Sequence, residues 1–371
     1  MRRPYEAMVV VLALWPTVVS GDGPRLLFIG QDLDSIRGYL ASGCCPVPDG
    51  LTAYLSLYNL RSKADGFGGL GLDERGERVD WEHSWGAGPV NAHRTATAFG
   101  AKHLAVGLDL TEAARMGGID AVLAGTYDVE IDHLGHLFAD VPGQVFLRIG
   151  YEFDGAWNTG YEDADRFRRL FRYVVDRLRS GALAENVQFV WQASASPLDD
   201  ILDGEHEDIR AWYPGDDYVD WLAFSWFLHP DEEPTTGAKP RAARQLAEEV
   251  LALAETSGKP VMVAEAAPQG YDLTRLTRRF TGPLWDGTAG GGVRMLREEE
   301  IWHAWYAPLF RFLHEHRRTI RALAYINCHW DAQPMWGPPY QAGYWGDSRL
   351  ETNRELARRF SEAIADWRAG N

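Results

Sequence analysis

The sequence predicts a single-domain (β/α)8 barrel on three observations. Eight short apolar runs rich in β-branched and aromatic residues follow one another along the chain, as strands buried on both faces require. Amphipathic segments of helix length separate these runs, so that strand and helix alternate throughout. The 371 residues also suffice for one barrel of about 250 residues with long loops.

The eight predicted strands set the order of this barrel. They are 25–30, 51–57, 103–108, 145–151, 187–192, 219–225, 260–265 and 320–327. Helical patterning is clearest in 164–178 and 241–256, each of which lies between two predicted strands. Such crossovers join parallel strands. The alternative, a doubly wound open sheet, would place a glycine-rich phosphate turn after the first strand, where Gln31, Asp32 and Leu33 stand instead.

The longest inserts follow the second, sixth and seventh predicted strands. They are 58–90, 226–240 and 266–299. In a barrel these positions are βα loops, which build the active-site face. Because the inserts carry many Gly, Trp and Asp residues, they predict a substrate cleft at this face.

Composition and charge indicate which class of molecule the protein binds. The formal net charge is -16, and the chain has no run of five or more Lys and Arg residues. It therefore lacks the basic patch with which proteins neutralise the phosphates of nucleic acids. We therefore predict no nucleic-acid partner and favour a neutral polysaccharide or oligosaccharide. The 15 Trp residues supply flat apolar faces that suit sugar rings.

The N-terminus has the pattern of a signal peptide. Met1, Arg2 and Arg3 precede a mostly apolar stretch at 7–19, and the small residues Ser20 and Gly21 follow it. This stretch is too short to span a bilayer as an ordinary helix. The sequence thus predicts a signal peptide at 1–20, a catalytic domain at 21–371, and a secreted or periplasmic protein with no membrane contact after cleavage.

Neither the cysteines nor the acidic clusters predict a metal site or a cofactor. Cys44 and Cys45 are adjacent, and no second Cys or His pair completes a zinc pattern. The aspartates within 199–203 lack the spacing of a calcium loop. In an exported protein a bond from one of the adjacent pair to Cys328 stays open.

Two glutamates stand at strand ends where barrel enzymes carry out their chemistry. Glu152 follows the fourth predicted strand and Glu265 ends the seventh, on opposite sides of the barrel mouth. Two carboxyl groups about 5 to 5.5 Å apart support double-displacement glycoside hydrolysis, in which one attacks the anomeric carbon and the other transfers the proton. A wider separation would indicate an inverting enzyme.

Four segments in order resemble glycoside hydrolase family 26. The segment 147–158 (LRIGYEFDGAWN) resembles its acid/base motif, with an Arg four residues before the Glu. The segment 212–221 (WYPGDDYVDW) resembles the approach to strand six, and 259–265 (KPVMVAE) resembles the nucleophile strand. Trp330 matches the Trp after strand eight, and the similarity covers 25–365.

This resemblance implies a retaining endo-acting hydrolase, with Glu152 as acid/base and Glu265 as nucleophile. That division requires Glu152 to keep its proton near the working pH while Glu265 stays ionised. Residues two apart share a strand face, so Arg148, Gly150 and Glu152 are expected to face the same way. On this basis Arg148 is the expected partner of the nucleophile, with a purely structural ion pair as the alternative.

Two departures from the family pattern bear on the substrate. Many members have His directly before the acid/base Glu, where this chain has Tyr151. Many also have a Tyr after strand six that bonds the nucleophile, where this chain has Ser225, Trp226 and Phe227. We therefore take β-1,4-mannan as the default substrate and keep β-1,3-xylan and β-glucan as alternatives.

Further residues are candidates for sugar binding. Four tryptophans are expected to form aromatic platforms, and polar residues at strand ends are expected to bind hydroxyl groups. The full set is Trp157, Trp226, Trp330 and Trp336, with Gln31, Tyr151, Asp154 and His329. Asp154 and its neighbour Asn158 are equally suited to capping their loop.

Two functional alternatives remain. The same barrel without catalysis would be a carbohydrate-binding module, although both glutamate positions are filled. A transglycosylase would use the same covalent intermediate and differ only in the acceptor, water or sugar.

Overall fold

The protein is a closed barrel of eight parallel strands, which confirms the predicted fold class. A computed structural model describes residues 23–57, 87–110, 118–155, 157–158, 160–181, 185–196, 208–227, 241–279, 292–340 and 343–370. The signal peptide expected at 1–20 lies outside these residues, as do 58–86, 228–240 and 280–291 of the three predicted long inserts. No helix in the described ranges is long and apolar enough to cross a membrane.

The barrel strands lie within two residues of their predicted bounds, in order around the barrel. They are β1 (Leu26–Gly30), β2 (Gly50–Ser56), β3 (His103–Asp109), β4 (Val145–Ile149), β5 (Val187–Ala193), β6 (Trp221–Trp226), β7 (Val261–Ala266) and β8 (Ile320–Ile326). Each strand pairs in parallel with its chain neighbours, and β8 closes the barrel against β1.

Helices follow the strands on the outside of the barrel. They are α1 (Leu33–Ser42), α2 (Ala92–Ala98), α3 (Gly118–Leu123), α4 (Asp128–Ala139), α5 (Ala164–Ser180), α6 (Ala243–Ser257), α7 (Glu298–Ile301), α8 (Ala307–Glu315) and α9 (Arg354–Ala369). A π-helical turn, Trp302–Tyr306, joins α7 to α8. The helix α5 begins where the Asp163 side chain accepts from the Arg166 backbone N–H, as an N-cap aspartate does.

Alternation along each strand separates two apolar layers. On β4, Val145 and Leu147 join the large cluster between barrel and helices, whereas Phe146 points into the barrel. There the Phe146 ring meets Phe28 edge-on, with 5.3 Å between ring centroids. Arg148, the next inward residue, begins a polar layer above this apolar floor. The barrel is therefore a packed core with its polar groups at the C-terminal end of the strands.

Short strands and turns surround the mouth of the barrel after β7 and β8. Four two-residue strands form a small sheet in the spatial order Arg294–Met295, Thr277–Arg278, Tyr271–Asp272 and Gly346–Asp347. Because the Gly346–Asp347 strand follows β8 and the other three follow β7, this sheet ties the two loops together.

All three cysteines are free, so the disulfide to Cys328 that the sequence left open is absent. The positions explain this absence. Cys44 and Cys45 precede β2, at the N-terminal end of the strands, whereas Cys328 follows β8 at the opposite end. The Cys328 side chain is also fully buried.

Candidate active site

A bulge in β7 directs Glu265 into the barrel. Met262 and Ala264 face the interior, so strict alternation would direct Glu265 outward. The register shifts here: Phe224 and Ser225 of β6 are opposite Val263 and Glu265, which leaves one extra residue in β7. Such a bulge changes the direction of the side chain that follows. Glu265 therefore lies inside the mouth, and only 6% of it is exposed.

Glu152 reaches the same space through a turn after β4. Gly150 and Glu152 both adopt left-handed backbone conformations, with φ of 56° and 50°. A Cβ on Gly150 would lie 2.9 Å from the Phe167 ring, which packs outside the barrel. The expectation that Gly150 shares a face with Arg148 is therefore wrong, because the chain leaves the strand conformation at this glycine. The same turn brings Glu152 over the barrel interior.

Hydrogen bonds hold this turn in place. The Glu152 backbone N–H donates to the Gln192 carbonyl at 3.0 Å. The Asn158 amide donates to the carbonyls of Tyr151 and Glu152, at 3.1 and 2.9 Å. Asp154 accepts from the Ser194 backbone N–H at 2.6 Å, which joins the loops after β4 and β5. Of the two functions weighed for Asp154 and Asn158, these contacts support loop capping.

Arg148 is fully buried and donates to the Glu265 carboxylate. Its Nη1 lies 2.5 Å from Glu265 Oε1 and 3.0 Å from Gln192 Oε1. On its other side Nη2 lies 3.3 Å from the Thr52 hydroxyl. A buried guanidinium against a carboxylate stabilises the charge of both groups. The expected contact between Arg148 and the candidate nucleophile is thus present.

Two tyrosines enclose the Arg148 guanidinium. Its Cζ lies 4.9 Å from the ring centroid of Tyr54 and 5.3 Å from that of Tyr151. The two rings are tilted against each other at 5.4 Å. Burial raises the pKa of both hydroxyl groups well above the usual value, and the nearby charge of Glu265 acts in the same direction. Both tyrosines therefore stay neutral beside the carboxylates.

Glu152 is held by two neutral donors. The Ser225 hydroxyl lies 2.5 Å from Glu152 Oε1, and the Trp157 indole N–H lies 2.9 Å from Oε2. Burial raises the pKa of Glu152 from 4.5 to about 8, and the charge of Glu265 adds to this rise. The hydrogen bonds from Ser225 and Trp157 act in the opposite direction and are the weaker effect.

Gln192 connects the two glutamates. Its Nε2 lies 3.1 Å from Ser225 Oγ and 3.2 Å from Glu265 Oε1. A continuous chain therefore runs from Glu152 through Ser225 and Gln192 to Glu265. One carboxyl group along this chain holds a proton near neutral pH, and the other is in direct contact with a cation. This is the division of properties that acid-assisted nucleophilic displacement needs.

Aromatic rings form a cluster at the ends of β7 and β8. Trp336 lies 5.3 Å from Trp330 and 4.8 Å from Trp345, between ring centroids. Trp330 is 2% exposed, whereas Trp336 and Trp345 keep part of their surface accessible. Trp345 was missed in the sequence, because no strand end or motif marks it. Trp157 stands apart from this cluster, 43% exposed beside Glu152.

Trp226 does not lie with these rings, and its assignment as a sugar platform is wrong. It faces the outside of β6, where its ring centroid lies 4.9 Å from that of Phe312 on α8. It is 4% exposed and belongs to the core between barrel and helices. The reason is alternation: since Ser225 faces inward, its neighbour faces outward.

The remaining candidates lie at strand ends and stay predictions. Gln31 follows β1 and is 3% exposed, and its Nε2 has no hydrogen-bond partner in the described part of the chain. His329 follows β8, with its Nε2 3.8 Å from Asp347 Oδ2. The described residues contain no group of three or more His, Cys, Asp or Glu that could hold a metal ion.

Gln192 was missed in the sequence, and Ser225 was noted there only as a departure from the family pattern. Gln192 and Ser225 complete the chain between the glutamates, and both are buried near the C-terminal ends of their strands. A polar residue at the inward position ending an apolar strand is the signal that could have found them.

Comparisons with known proteins relate this chain to a family. Residues 118–267 match the sequence profile of glycosyl hydrolase family 26. A β-1,3-xylanase TXYA from Vibrio sp is 31% identical over 342 residues, which are 92% of this chain and 65% of that protein. A β-1,3-xylanase from Alcaligenes sp is 30% identical over 340 residues, with 91% and 63% covered. This chain thus spans a little under two thirds of the length of either relative.

Solved structures share the fold. A GH26 β-mannanase from Bacteroides ovatus superposes with a TM-score of 0.54 at 13% identity, covering 93% of this chain and 90% of that one. At such low identity the likeness extends to the fold alone.

Proposed function

We propose that this chain, which belongs to glycosyl hydrolase family 26, is a retaining endo-β-glycoside hydrolase with Glu265 as nucleophile and Glu152 as acid/base. One observation carries the proposal. Two buried glutamates share the barrel mouth and one hydrogen-bonded chain, yet among the described residues only Glu265 of the two is in contact with a buried cation. Retaining glycosidases need such a pair, one carboxylate to attack and one carboxylic acid to protonate.

In the first half of the proposed reaction, Glu265 attacks the anomeric carbon while Glu152 gives its proton to the glycosidic oxygen. The bond from carbon to the leaving sugar breaks, and a glycosyl ester forms on Glu265. In the second half, the Glu152 carboxylate takes a proton from water, whose oxygen attacks the same carbon and releases Glu265. Two displacements restore the original anomeric configuration.

We infer β-1,3-xylan as the substrate, in place of the default β-1,4-mannan. Both relatives named β-1,3-xylanases align over more than nine tenths of this chain. A mannan endo-1,4-β-mannosidase from Bifidobacterium adolescentis aligns over only 25% of it, at 26% identity. Tyr151, which contacts Arg148, and Ser225, which contacts Glu152, are also where the chain departs from the pattern of many family members.

The test is turnover on a panel of β-1,3-xylan, β-1,4-mannan, laminarin and mixed-linkage β-glucan, with Glu265→Ala as the inactive control. We expect xylo-oligosaccharides from β-1,3-xylan, and NMR of the fresh products should show the β-anomer first. Initial formation of the α-anomer would contradict the retaining mechanism. Cleavage of mannan alone would keep the mechanism and overturn the substrate.

We also propose that the protein is exported by its N-terminal segment. The basic start, the apolar stretch at 7–19 and the small residues that follow support a signal peptide ending near residue 20. N-terminal sequencing of protein recovered outside the cytoplasm should begin near Gly21, and an intact Met1 would contradict the proposal.

A further inference from the structure

The orientation of the Gln192 side chain is fixed by Arg148. A guanidinium has donors only, so the Gln192 atom 3.0 Å from Arg148 Nη1 must be the carbonyl oxygen. The amide nitrogen then faces Ser225 Oγ at 3.1 Å and Glu265 Oε1 at 3.2 Å. Because this nitrogen has donors only, the Ser225 oxygen accepts from it.

The Ser225 hydroxyl therefore has its proton available for Glu152. Its oxygen lies 2.5 Å from Glu152 Oε1, a short distance typical of a hydroxyl donating to a carboxylate. The other oxygen of Glu152 faces the Trp157 N–H at 2.9 Å. Each oxygen of the ionised carboxylate therefore accepts a hydrogen bond. A proton on either oxygen would instead point at a donor, which disfavours the protonated form.

We propose that Ser225, oriented by Gln192, is a positioning residue that favours the ionised form of Glu152 and so promotes the second, hydrolytic half of the reaction. The inference rests on the proposed function for its kinetic part. A serine suits this position because its hydroxyl reverses: when Glu152 is protonated, Ser225 can accept from it through its second lone pair. The Trp157 N–H has no such second state.

The charges around Glu152 differ between the two halves of the reaction. Glu265 on β7 and Asp154 in the same loop oppose ionisation of Glu152 and raise its pKa. Arg148 lies in the layer beneath, with Tyr54 and Tyr151, which stay neutral around it. Once Glu265 is a glycosyl ester, its charge is gone and its opposition disappears. Ser225 then helps Glu152 to become the base that activates water.

A titration without any sugar tests the first part. The Glu152 carboxyl is followed by ¹³C NMR in glutamate-labelled enzyme, with Glu152→Gln to assign the signal. We expect Ser225→Ala to raise the pKa of Glu152 by about one unit, the size of one hydrogen bond to a charged group. Ser225→Thr keeps the hydroxyl and should titrate close to the original enzyme.

A matched control removes a hydroxyl from the same layer without touching Glu152. Thr52 donates nothing to Glu152 and instead accepts from Arg148 Nη2 at 3.3 Å. Thr52→Val should therefore leave the titration of Glu152 in place. An equal shift in Thr52→Val and Ser225→Ala would overturn the inference, because any loss in the layer would then have the same effect.

Kinetics test the second part. A dinitrophenyl β-xylobioside has a leaving group that needs little acid help, so its second half is rate-limiting. Ser225→Ala should lower kcat about threefold to tenfold and change kcat/KM less than about twofold, with Ser225→Thr restoring kcat. Equal loss of both constants would overturn the kinetic part. If Ser225→Ala shifts the titration of Glu152 but the original enzyme turns over no glycoside, the proposed function is contradicted. The effect of Ser225 on the ionisation of Glu152 is then still supported.

Discussion

The surroundings of Glu265 and of Glu152 differ in one respect that decides their chemistry. Glu265 receives a buried guanidinium and an amide on a single oxygen. Glu152 receives a hydroxyl and an indole N–H, one on each oxygen, and no cation from the described part of the chain. With similar burial and similar numbers of donors, one glutamate is therefore paired with a cation, and the other has its pKa raised to about 8.

The largest expected effect comes from removing each carboxylate in turn and adding azide. Glu265→Ala should lose about 10⁴-fold or more in kcat, and azide should restore turnover with an α-configured glycosyl azide, since only one displacement remains. Glu152→Ala should still form the covalent intermediate from an aryl glycoside, and azide should then give the β-configured product. NMR of the two products distinguishes them. The same configuration from both variants would contradict the division of function.

The next effect comes from removing the cation beside Glu265. Arg148→Met leaves a buried carboxylate without its ion-pair partner, so we expect a kcat/KM lower by about 10²- to 10³-fold and a clearly lower Tm. Arg148→Lys keeps the charge but not the forked donors, so its kcat/KM and Tm should lie between those of Arg148→Met and those of the original enzyme. Steady-state kinetics and thermal unfolding at one pH measure both quantities. A Met variant as stable and active as the original enzyme would show that the contact contributes nothing.

The burial of Glu152 should make the stability of the folded protein depend on pH. Burial and the charge of Glu265 raise its pKa from 4.5 to about 8, so the unfolded chain ionises this group before the folded protein does. The folded state therefore loses stability as the pH rises from about 4.5 to about 8. Glu152→Gln removes this loss, and its Tm should exceed that of the original enzyme by a margin that grows across this window.

A half-buried glutamate whose pKa is shifted in the opposite direction is the control for this measurement. Hydrogen bonds from Arg358 and Arg359 lower the pKa of Glu355 on α9 to about 2. Its stabilising contribution is present above about 4.5 and is lost toward pH 2, so Glu355→Gln should never gain stability with rising pH. Parallel Tm curves for the original enzyme and Glu152→Gln from pH 5 to 8 would rule out the raised pKa.

The sequence was sufficient to predict the barrel and the location of both glutamates. Buried parallel strands are continuous apolar runs, and these runs ended within two residues of β1 to β8. The end of a barrel strand is also where its side chains enter the mouth. The strand count, together with the family motifs, could therefore locate Glu152 and Glu265 at the mouth.

The directions of these side chains could not be predicted, because both glutamates leave the alternation of their strands. Glu265 depends on the β7 bulge, which is defined only against its neighbours, and Glu152 depends on the left-handed turn at Gly150. The side-chain hydrogen bonds of Gln192 join β5 to β4, β6 and β7, so they depend on the register of four strands. Trp226, by contrast, follows the alternation of its strand. Alternation from Ser225 would have placed it outside the barrel, although its position at the strand end suggested a sugar platform.

The smallest expected effect tests the indole donor on Glu152. Trp157 is 43% exposed, so water screens its hydrogen bond and can replace it. Trp157→Phe keeps most of the ring and removes the N–H, which should raise the pKa of Glu152 by less than one unit. The alkaline limb of kcat/KM, which begins near the pKa of about 8, should move upward with it.

Trp226→Phe is the matched control, because it removes an indole N–H from the outer face of β6. It should leave the alkaline limb in place and cost about 1 kcal/mol of stability through looser packing on Phe312. If Trp157→Phe moved the limb as far as Ser225→Ala, exposure would not weaken the donor. The contrast between the two glutamates would then rest on the cation at Glu265 alone.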